Sequence, residues 1–518
     1  MFNEVLNLKN QPSLFSDNQL KTETISIKIS KPSLLKSETN PKISLSPNII
    51  NKSKDALDSI KISKESNNKN ASYGIKPNNL SSTDKKAVKY SSYSIAKLYE
   101  DIFLFKVFDK ILHVWDENSG YYIPLTNENS DQFIRKNAPI HLKHFLNSSN
   151  IKDIVNWIKA ESNNVINESD LHSKRNFIAF KNGILNISNL KLINHSPEYN
   201  FTSIINANYC YDPLDSVYFE NFMLDICQND HLLYNRIQEL FGYVISEIRD
   251  LKIIPYLTGP KDTGKSIILK LLEHLVGVNF CTRLSLDELN KKDYLNRLLS
   301  KKLNTCGETS ELTLKRLDVL KKLSGGDRIM AKALYEQPVS FVNMAALVFA
   351  GNHLPSINNL DRSNAFSERL LIIPFDNAIP KEKQDPLLFK KLLKEIDYIA
   401  NWSTIGLLRL IHNNYQFTNN LRVSQLQMSY TIHNNSIEQF FLQECIQSTD
   451  AKIFSSEIEK AYFSFCEIHN VIPASKIEFH RYLKSKYNLK YKRFRLGNEN
   501  KNGYIGISLI INSNLMED

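Results

Sequence analysis

The segment GPKDTGKS at residues 259–266 constrains the fold of this chain more than any other feature of its sequence. It fits the pattern G-x-x-x-x-G-K-[ST] in full, and a chance match is improbable because the 518 residues contain only 15 glycines. An apolar run at 252–258 precedes the segment, and a run without helix breakers follows it. Strand candidates then alternate with helical stretches as far as residue 412. We therefore predict an α/β domain with a largely parallel sheet.

The glycine loop at 259–266 has the chemistry of a phosphate-binding site. Its backbone N–H groups and the N-terminus of the following helix would surround phosphates, Lys265 would pair with the β- and γ-phosphates of ATP, and the Ser266 hydroxyl would be a ligand of Mg²⁺. The alternative is a glycine turn that merely begins a helix, but such a turn does not require Lys-Ser after the second glycine. The predicted nucleotide-binding residues are Gly259, Pro260, Lys261, Asp262, Thr263, Gly264, Lys265 and Ser266.

An acid at the end of a neighbouring strand is needed to hold Mg²⁺ and polarise water beside such a loop. Glu308, which follows the strand candidate at 301–307, is the predicted acid, and it is also the second predicted metal ligand. Glu311 is the alternative acid. A plain surface carboxylate at position 308 is the other interpretation that the sequence leaves open.

Two further polar residues stand beside strand candidates. Asn352 follows the candidate at 345–351, where it could orient the attacking water or contact the γ-phosphate, although an Asn after a strand is more often a turn residue. Arg369 precedes the apolar run at 370–373, where it could act as an arginine finger or as a surface salt-bridge partner. Arg362, in the polar loop before it, competes for the finger role.

Five segments of the chain together resemble a known family. They are GPKDTGKS at 259–266, the strand ending before Glu308, KKLSGGD at 321–327, AGNHLP at 350–355 and SERLLIIPF at 367–375. The set is similar to superfamily 3 helicases, in the branch shared by poxvirus primase-helicases and phage or plasmid replication primases, and the Lys-x-Leu-x-Gly-Gly-Asp segment is special to that branch. The resemblance implies an AAA+-like P-loop NTPase domain at 216–412 that uses ATP and Mg²⁺ and assembles as a homo-hexameric ring on DNA.

Two flanking regions extend the resemblance. FKNGILNIS at 180–188, followed by HSPE and YDP, is similar to the domain that precedes the ATPase in this branch and predicts an α+β domain at 91–215. The helices around SIEQFF at 436–441, followed by two strand candidates, are similar to the winged-helix tail of the branch. They predict a winged-helix DNA-binding domain at 430–511.

The chain also departs from the family pattern. Glu368 stands where a second arginine is common, and Asn304 and Thr305 weaken the acid-bearing strand. Both departures put the turnover rate in question more than nucleotide binding. The family commonly fuses a polymerising primase module upstream, whereas the first 90 residues here contain no strand motif with paired acids. Primer synthesis is therefore not predicted.

The positive charge of the chain is concentrated near its two ends. The net charge is +10, and residues 1–90 hold 15 Lys against 8 acids, while residues 476–501 hold 9 basic residues against 2 acids. Blocks of one sign are usually solvated tails or nucleic-acid contacts. Residues 1–90 are rich in Ser, Asn and Lys and have almost no periodicity, so we predict a disordered tail.

Predicted DNA contacts fall in two places. The resemblance implies a hairpin at about 328–341 that points into the ring pore, with Lys332 and Tyr335 as contacts to single-stranded DNA; an ordinary surface hairpin is an equal alternative. The basic C-terminal stretch interleaves cations with Tyr and Phe, which suits duplex DNA, or it forms a solvated basic helix and wing. The residues predicted there are Lys484, Lys490, Lys492, Arg493 and Arg495.

Composition excludes several classes of protein. No apolar run approaches 18 residues, which excludes a membrane span, and the N-terminus lacks the pattern of a secretory signal. The six cysteines lie far apart without a C-x-x-C pair, which argues against a zinc ribbon or a disulfide scaffold and fits a reducing compartment. We expect a soluble intracellular protein, either in a bacterial-type cytoplasm or in a plastid.

These observations predict an ATP-dependent, ring-forming DNA helicase that acts in the replication of a plasmid, a phage-like element or an organelle genome. Single-stranded DNA would occupy the pore, and duplex DNA would contact the C-terminal domain. Two alternatives from other classes stay open. One is a DNA-binding replication protein with a degenerate ATPase, and the other is an AAA+-like remodelling ATPase that does not unwind duplex DNA.

Overall fold

The computed structural model describes residues 90–166, 173–212, 215–307, 313–314, 317–332, 338–357, 366–469, 471 and 473–510. Four predicted or alternative site residues lie outside these ranges, as do residues 1–89 of the tail predicted to be disordered. They are Glu308, Glu311, Tyr335 and Arg362.

The first described region packs helices against a small antiparallel sheet. Its elements are α1 (Ser92–Ile102), β1 (Phe105–Phe108), β2 (Ile111–Asp116), β3 (Tyr121–Leu125), α2 (Asn127–Lys136) and α3 (Ser148–Ala160). The sequence predicts two strands around the turn Asp116–Gly120, and they are present as β2 and β3. Apolar residues spaced three and four apart on α3, including Ile151, Ile154 and Ile158, join the buried core under this sheet.

A second antiparallel sheet follows, with β4 (Phe177–Phe180), β5 (Gly183–Asn186) and β6 (Lys191–Ile193). Asn182-Gly183 lies between two apolar runs and predicts a tight hairpin, and this hairpin is present, because Phe180 pairs with Gly183 across the turn. Side chains such as Ile178 and Leu185 are buried in the same core as the helices that follow residue 218. This sheet therefore packs on the central part of the chain.

The central part contains most of the strands and helices. Its strands are β7 (Ile254–Thr258), β8 (Cys281–Thr282), β9 (Leu303–Cys306), β10 (Thr313–Leu314), β11 (Arg328–Ala331), β12 (Val339–Val342), β13 (Ala346–Gly351), β14 (Ser356–Ile357) and β15 (Leu370–Pro374). Its helices are α4 (Tyr218–Cys227), α5 (His231–Ile245), α6 (Lys265–Val276), α7 (Leu286–Leu289), α8 (Lys292–Leu295), α9 (Asp318–Gly325), α10 (Leu388–Lys394), α11 (Ile396–His412) and α12 (Leu421–His433).

Five of these strands form one parallel sheet in the order β15-β7-β13-β9-β8, as the alternation of strands and helices predicts. Successive side chains of a strand point to opposite faces. In β13, Ala346, Val348 and Ala350 join one hydrophobic core, and Leu347 and Phe349 join the other. Both faces of the sheet are covered, which explains why its strands read as continuous apolar runs.

The sequence also predicts a strand at 339–343, VSFVN, but this strand does not enter the parallel sheet. It forms β12, which pairs antiparallel with β11, and Ile329 lies opposite Phe341. Only three residues separate β12 from β13. A connection between parallel strands needs a dozen residues or more, so β12 cannot join β13 in the same sheet. The hairpin expected at 328–341 is thus present, and its tip at 333–337 lies outside the described residues.

The C-terminal elements form a third small core. They are α13 (Ser436–Glu444), β16 (Cys445–Phe454), α14 (Ser455–Ile468), α15 (Lys476–Lys486), β17 (Lys490–Leu496) and β18 (Glu499–Leu509). Three helices and the two terminal strands were expected, but β16 was not, and it pairs with β18. The turn expected at 497–503 is shorter than predicted, because β18 already begins at Glu499.

None of the described helices is both long enough and apolar enough to cross a membrane. All six cysteines are free thiols, as their wide spacing predicts.

Candidate nucleotide site and basic surfaces

The glycine loop connects the carboxyl end of β7 to the start of α6. Gly264 directly precedes the helix with a φ of +91°, in the left-handed region that favours glycine. Gly259 has a φ of +148°, and a Cβ atom there would lie 2.0 Å from the carbonyl oxygen of Phe375. Glycine at these positions is therefore a requirement of the backbone path.

Lys265 is the first residue of α6, and its side chain folds back over the loop. Its Nζ donates to the carbonyl oxygens of Gly259, at 2.7 Å, and Pro260, and to Thr263 Oγ1 at 3.0 Å. The residue is only 8% exposed. Burial lowers the pKa of Lys265, and Asp262 partly opposes that shift. The ammonium group is thus held beside the loop, where an anion would be an additional partner.

A cleft of about 1500 Å³ lies over the loop at the carboxyl edge of the sheet. Lys265 and Ser266 line it together with Gly307 at the end of β9 and Asn352 at the end of β13. The predicted acid, Glu308, would follow Gly307 directly, but it lies outside the described residues. The structure therefore brings Asn352 and the loop together, as the motif spacing suggests.

Further residues that line the cleft were not predicted from the sequence. They include Tyr218 and Asp225 of α4 and the cations Lys381 and Lys383 of the segment after β15. Asn377 Nδ2 donates to the carbonyl of Asp225 at 2.8 Å, which joins these two walls. No local pattern marks these residues, because they reach the cleft through the tertiary fold.

Arg369 is not part of this cleft. It ends a 3₁₀ turn (Ser367–Arg369) at the amino end of β15, and the glycine loop lies beyond the carboxyl end of β7. Leu370 is in register with Ile254, so the length of β7 separates Arg369 from the loop. At about 3.3 Å per residue that separation is roughly 15 Å. Arg369 therefore does not line the nucleotide cleft of its own chain.

The two polar residues of the acid-bearing strand are well satisfied. Asn304 accepts from the backbone N–H of Leu284 at 2.8 Å and donates to its carbonyl at 3.0 Å. Thr305 Oγ1 donates to the carboxylate of Glu273, which also binds Arg283 in an ion pair. Hydrogen-bonded polar groups can be buried at little cost. These residues therefore fasten β9 to α6 and to the segment before α7.

The predicted DNA contacts are all exposed where they are described. Lys332 follows β11, Lys484 lies near the end of α15, and Lys490, Lys492, Arg493 and Arg495 occupy β17. The Lys484 ammonium stands 4.2 Å from the ring centre of Tyr491, which is 39% exposed.

Other aromatics of this stretch serve the protein core. The hydroxyls of Tyr482 and Tyr487 donate to Glu438 at 2.7 and 2.8 Å, and the Phe494 ring stacks on Phe454 at 5.3 Å. Of the aromatic side chains in this stretch, Tyr491 is the one left at the surface.

Comparison with known proteins finds similarity to viral helicases. A family model described as D5 N terminal like matches residues 90–228, and one described as a family of unknown function, DUF5906, matches residues 257–369. A protein named as a helicase, 121R of Invertebrate iridescent virus 3, is 22% identical over 367 residues, and another, L207/L206 of Acanthamoeba polyphaga mimivirus, is 24% identical over 289 residues. The chain is thus similar to the D5 N-terminal-like family over residues 90–228 and to viral proteins named as helicases over longer stretches.

The matches cover only part of each viral relative. They span 60% and 50% of this chain, but 37% and 29% of the viral proteins, so the chain spans about a third of the length of these relatives. Among solved structures, the apo C-terminal region of NrS-1 matches with a TM-score of 0.43 at 10% identity, over 80% of this chain and 99% of that one.

Proposed function

We propose that this protein is a replication helicase that hydrolyses ATP to move along DNA. The observation that carries the proposal is the cleft at the carboxyl edge of the parallel sheet, where the glycine loop, the buried Lys265 and Asn352 meet. Ligands of parallel sheets bind at this edge, and the helix N-terminus there favours phosphate.

Each residue of the cleft would have one task. The loop amides and Lys265 would bind the β- and γ-phosphates, and Asn352 would orient the attacking water. The oxygen donors Ser266 and Glu308 suit Mg²⁺, which binds few protein ligands and completes its shell with water and phosphate oxygens. When bound, the metal would neutralise charge on the phosphates.

The arginine finger would come from a neighbouring chain. Arg369 does not line its own cleft, so a ring in which each nucleotide sits between subunits is the arrangement that gives it a role. We propose a homo-hexameric assembly on single-stranded DNA, as the family resemblance implies, with the β11–β12 hairpin and the predicted contacts Lys332 and Tyr335 in the pore.

A second contact with DNA is proposed for the C-terminal elements. The order α13, β16, α14, α15, β17, β18 is helix, strand, helix, helix, strand, strand, which is the succession of a winged helix. Its exposed basic strand β17 would lie on the phosphates of duplex DNA.

The deciding experiment measures DNA-stimulated ATP hydrolysis and strand displacement by the same preparation. Lys265→Ala should abolish both activities, whereas Lys270→Ala, an exposed lysine on the same helix, should leave both intact. DNA binding without hydrolysis would instead identify a degenerate ATPase. Hydrolysis without displacement would identify a remodelling ATPase.

A further inference from the structure

A second cavity, of about 510 Å³, lies at the opposite end of the central sheet from the glycine loop. Lys302, which directly precedes β9, and Met344, which lies shortly before β13, line this cavity, whereas Gly307 and Gly351 at the other ends of these strands line the nucleotide cleft. The cavity therefore lies at the amino ends of the strands. Its size falls within the range of about 300–1,000 Å³ that is usual for small-molecule sites.

The walls of the cavity carry more positive than negative charge. Lys302 pairs with Glu247, and both side chains are largely buried. Four further cations line the cavity against one further acid, Asp109; they are Lys110, Lys159, Lys301 and Arg328. Burial lowers the pKa of Lys159 and of Lys301, because water no longer fully solvates their ammonium groups. An anion bound there would compensate that loss.

A buried histidine, His113, adds a hydrogen-bond acceptor to the cations of the cavity. His113 lines the cavity and is 0% exposed. Its Nδ1 lies 3.0 Å from the carbonyl oxygen of Ile111, which can only accept, so Nδ1 carries the proton. Burial lowers the pKa of His113 to about 4, and Nε2 is therefore an acceptor at neutral pH. Among the described residues no donor meets this Nε2. A hydroxyl or amino group of a ligand would do so.

We propose that this cavity binds a phosphate monoester on a hydroxyl-bearing sugar, the chemistry of a single nucleotide unit, with the phosphate among Lys159, Lys301 and Lys110 and a hydroxyl on His113 Nε2. Two sources share this chemistry: a free nucleotide and the 5′-phosphorylated end of a nucleic-acid strand. The site is separate from the glycine loop, so it stands whether or not the loop hydrolyses ATP.

The test uses the full chain with Lys265→Ala, so that the glycine loop contributes little to binding. Calorimetry would measure binding of AMP, of adenosine, and of a hexanucleotide with and without a 5′-phosphate. Lys159→Met should weaken binding of the phosphorylated probe by about tenfold or more, the usual effect of removing a charged hydrogen-bond partner. Lys152→Met is the matched control, because Lys152 lies on the same helix, is exposed and does not line the cavity.

The outcomes distinguish a free nucleotide from a phosphorylated strand end, and one of them would overturn the proposal. Binding of AMP that depends on Lys159 supports a free nucleotide, and binding of the phosphorylated hexanucleotide alone supports a strand end. His113→Gln tests the hydroxyl contact, with the melting curve as a check that the buried substitution still folds. If no phosphorylated probe binds, or if Lys159→Met and Lys152→Met bind equally well, the cavity holds only solvent and the proposal is overturned.

Discussion

At the scale of single residues, Gly259 is the position of the glycine loop with the least room for a side chain. Its positive φ and the carbonyl oxygen of Phe375, 2.0 Å from where a Cβ would stand, act together. The clash involves the backbone at the end of β15, which cannot rotate away as a side chain could. The loop and the neighbouring strand end are thus fixed against each other.

Gly259→Ala should therefore destabilise the chain by about 1–3 kcal/mol and abolish nucleotide binding. Gly497→Ala is the matched control, because Gly497 also has a positive φ but has nothing within 4 Å of the added methyl group. Urea unfolding and nucleotide titration would check both variants. Equal losses in the two variants would mean that backbone conformation alone, and not the contact with Phe375, restricts position 259.

Arg369→Ala should bind ATP normally and hydrolyse it slowly, by a factor of about 10³–10⁵, if the arginine acts on the nucleotide of a neighbouring chain. Mixing this variant with Lys265→Ala under conditions of subunit exchange should restore part of the activity, because some interfaces then combine an intact loop with an intact finger. Mixed rings that remain inactive would assign Arg369 a structural role.

The roles of individual residues were only partly predictable from the sequence. The glycine motif predicts the loop, and the end of an apolar run predicts the position of Asn352, because both are local sequence patterns. Asn304 and Thr305 were interpreted as weak points of a strand. Their partners Leu284 and Glu273 lie 20 and 32 residues away, so no local pattern reveals that both side chains are satisfied.

At the scale of elements, β17 presents an unusual row of cations for a strand of a small sheet. Its partner β18 covers one edge, and most of its side chains stay exposed. The strand therefore presents several cations at the surface.

Replacing Lys490 and Lys492 by Gln should reduce the slope of log K against log salt for duplex DNA by about 2, since each phosphate contact contributes about 0.9. Lys390 and Lys394 on α10 are an exposed pair for the control, and their replacement should leave the slope unchanged. Filter binding across a salt series would measure both. An unchanged slope in the β17 variant would place duplex recognition on another surface.

The sequence predicted most elements and missed those with a mixed pattern. β16 begins and ends in buried residues, but the residues between Cys445 and Ile453 are mostly exposed and polar, so neither alternation nor an apolar run marks the strand. The strand exists because its backbone pairs with β18. Strands buried on both faces, such as β13, consist of a continuous apolar run and are therefore evident from composition alone.

At the scale of the whole molecule, α12 belongs structurally to the central part of the chain, although the winged-helix region was predicted to begin at 430. Tyr430 is 7% exposed within the second core of the sheet, and its hydroxyl donates to the carbonyl of Pro355 at 2.5 Å. The domain boundaries stay predictions, and this contact gives a way to test the last one.

A chain that ends at His433 should keep ATP hydrolysis and lose the C-terminal DNA contact. A chain that ends at Ser429 should lose about 3–5 kcal/mol of stability in addition, because it lacks the buried Tyr430 ring and its hydrogen bond. Thermal unfolding and ATPase rates of the two truncations would be compared. Equal stability would show that Tyr430 contributes little and that α12 can be divided.

The outer edge of the central sheet is covered, and this bears on aggregation of the protein. β15 is the last strand on its side, yet its five residues are buried. Arg236 donates from Nε to the carbonyl of Ile372 at 2.9 Å and from Nη1 to the carbonyl of Thr418 at 2.7 Å, while α12 packs alongside β15. A bare hydrophobic strand edge pairs with other molecules. A fragment cut before Leu421 lacks α12 and should therefore aggregate more readily than the full chain, and light scattering at increasing protein concentration would measure the difference.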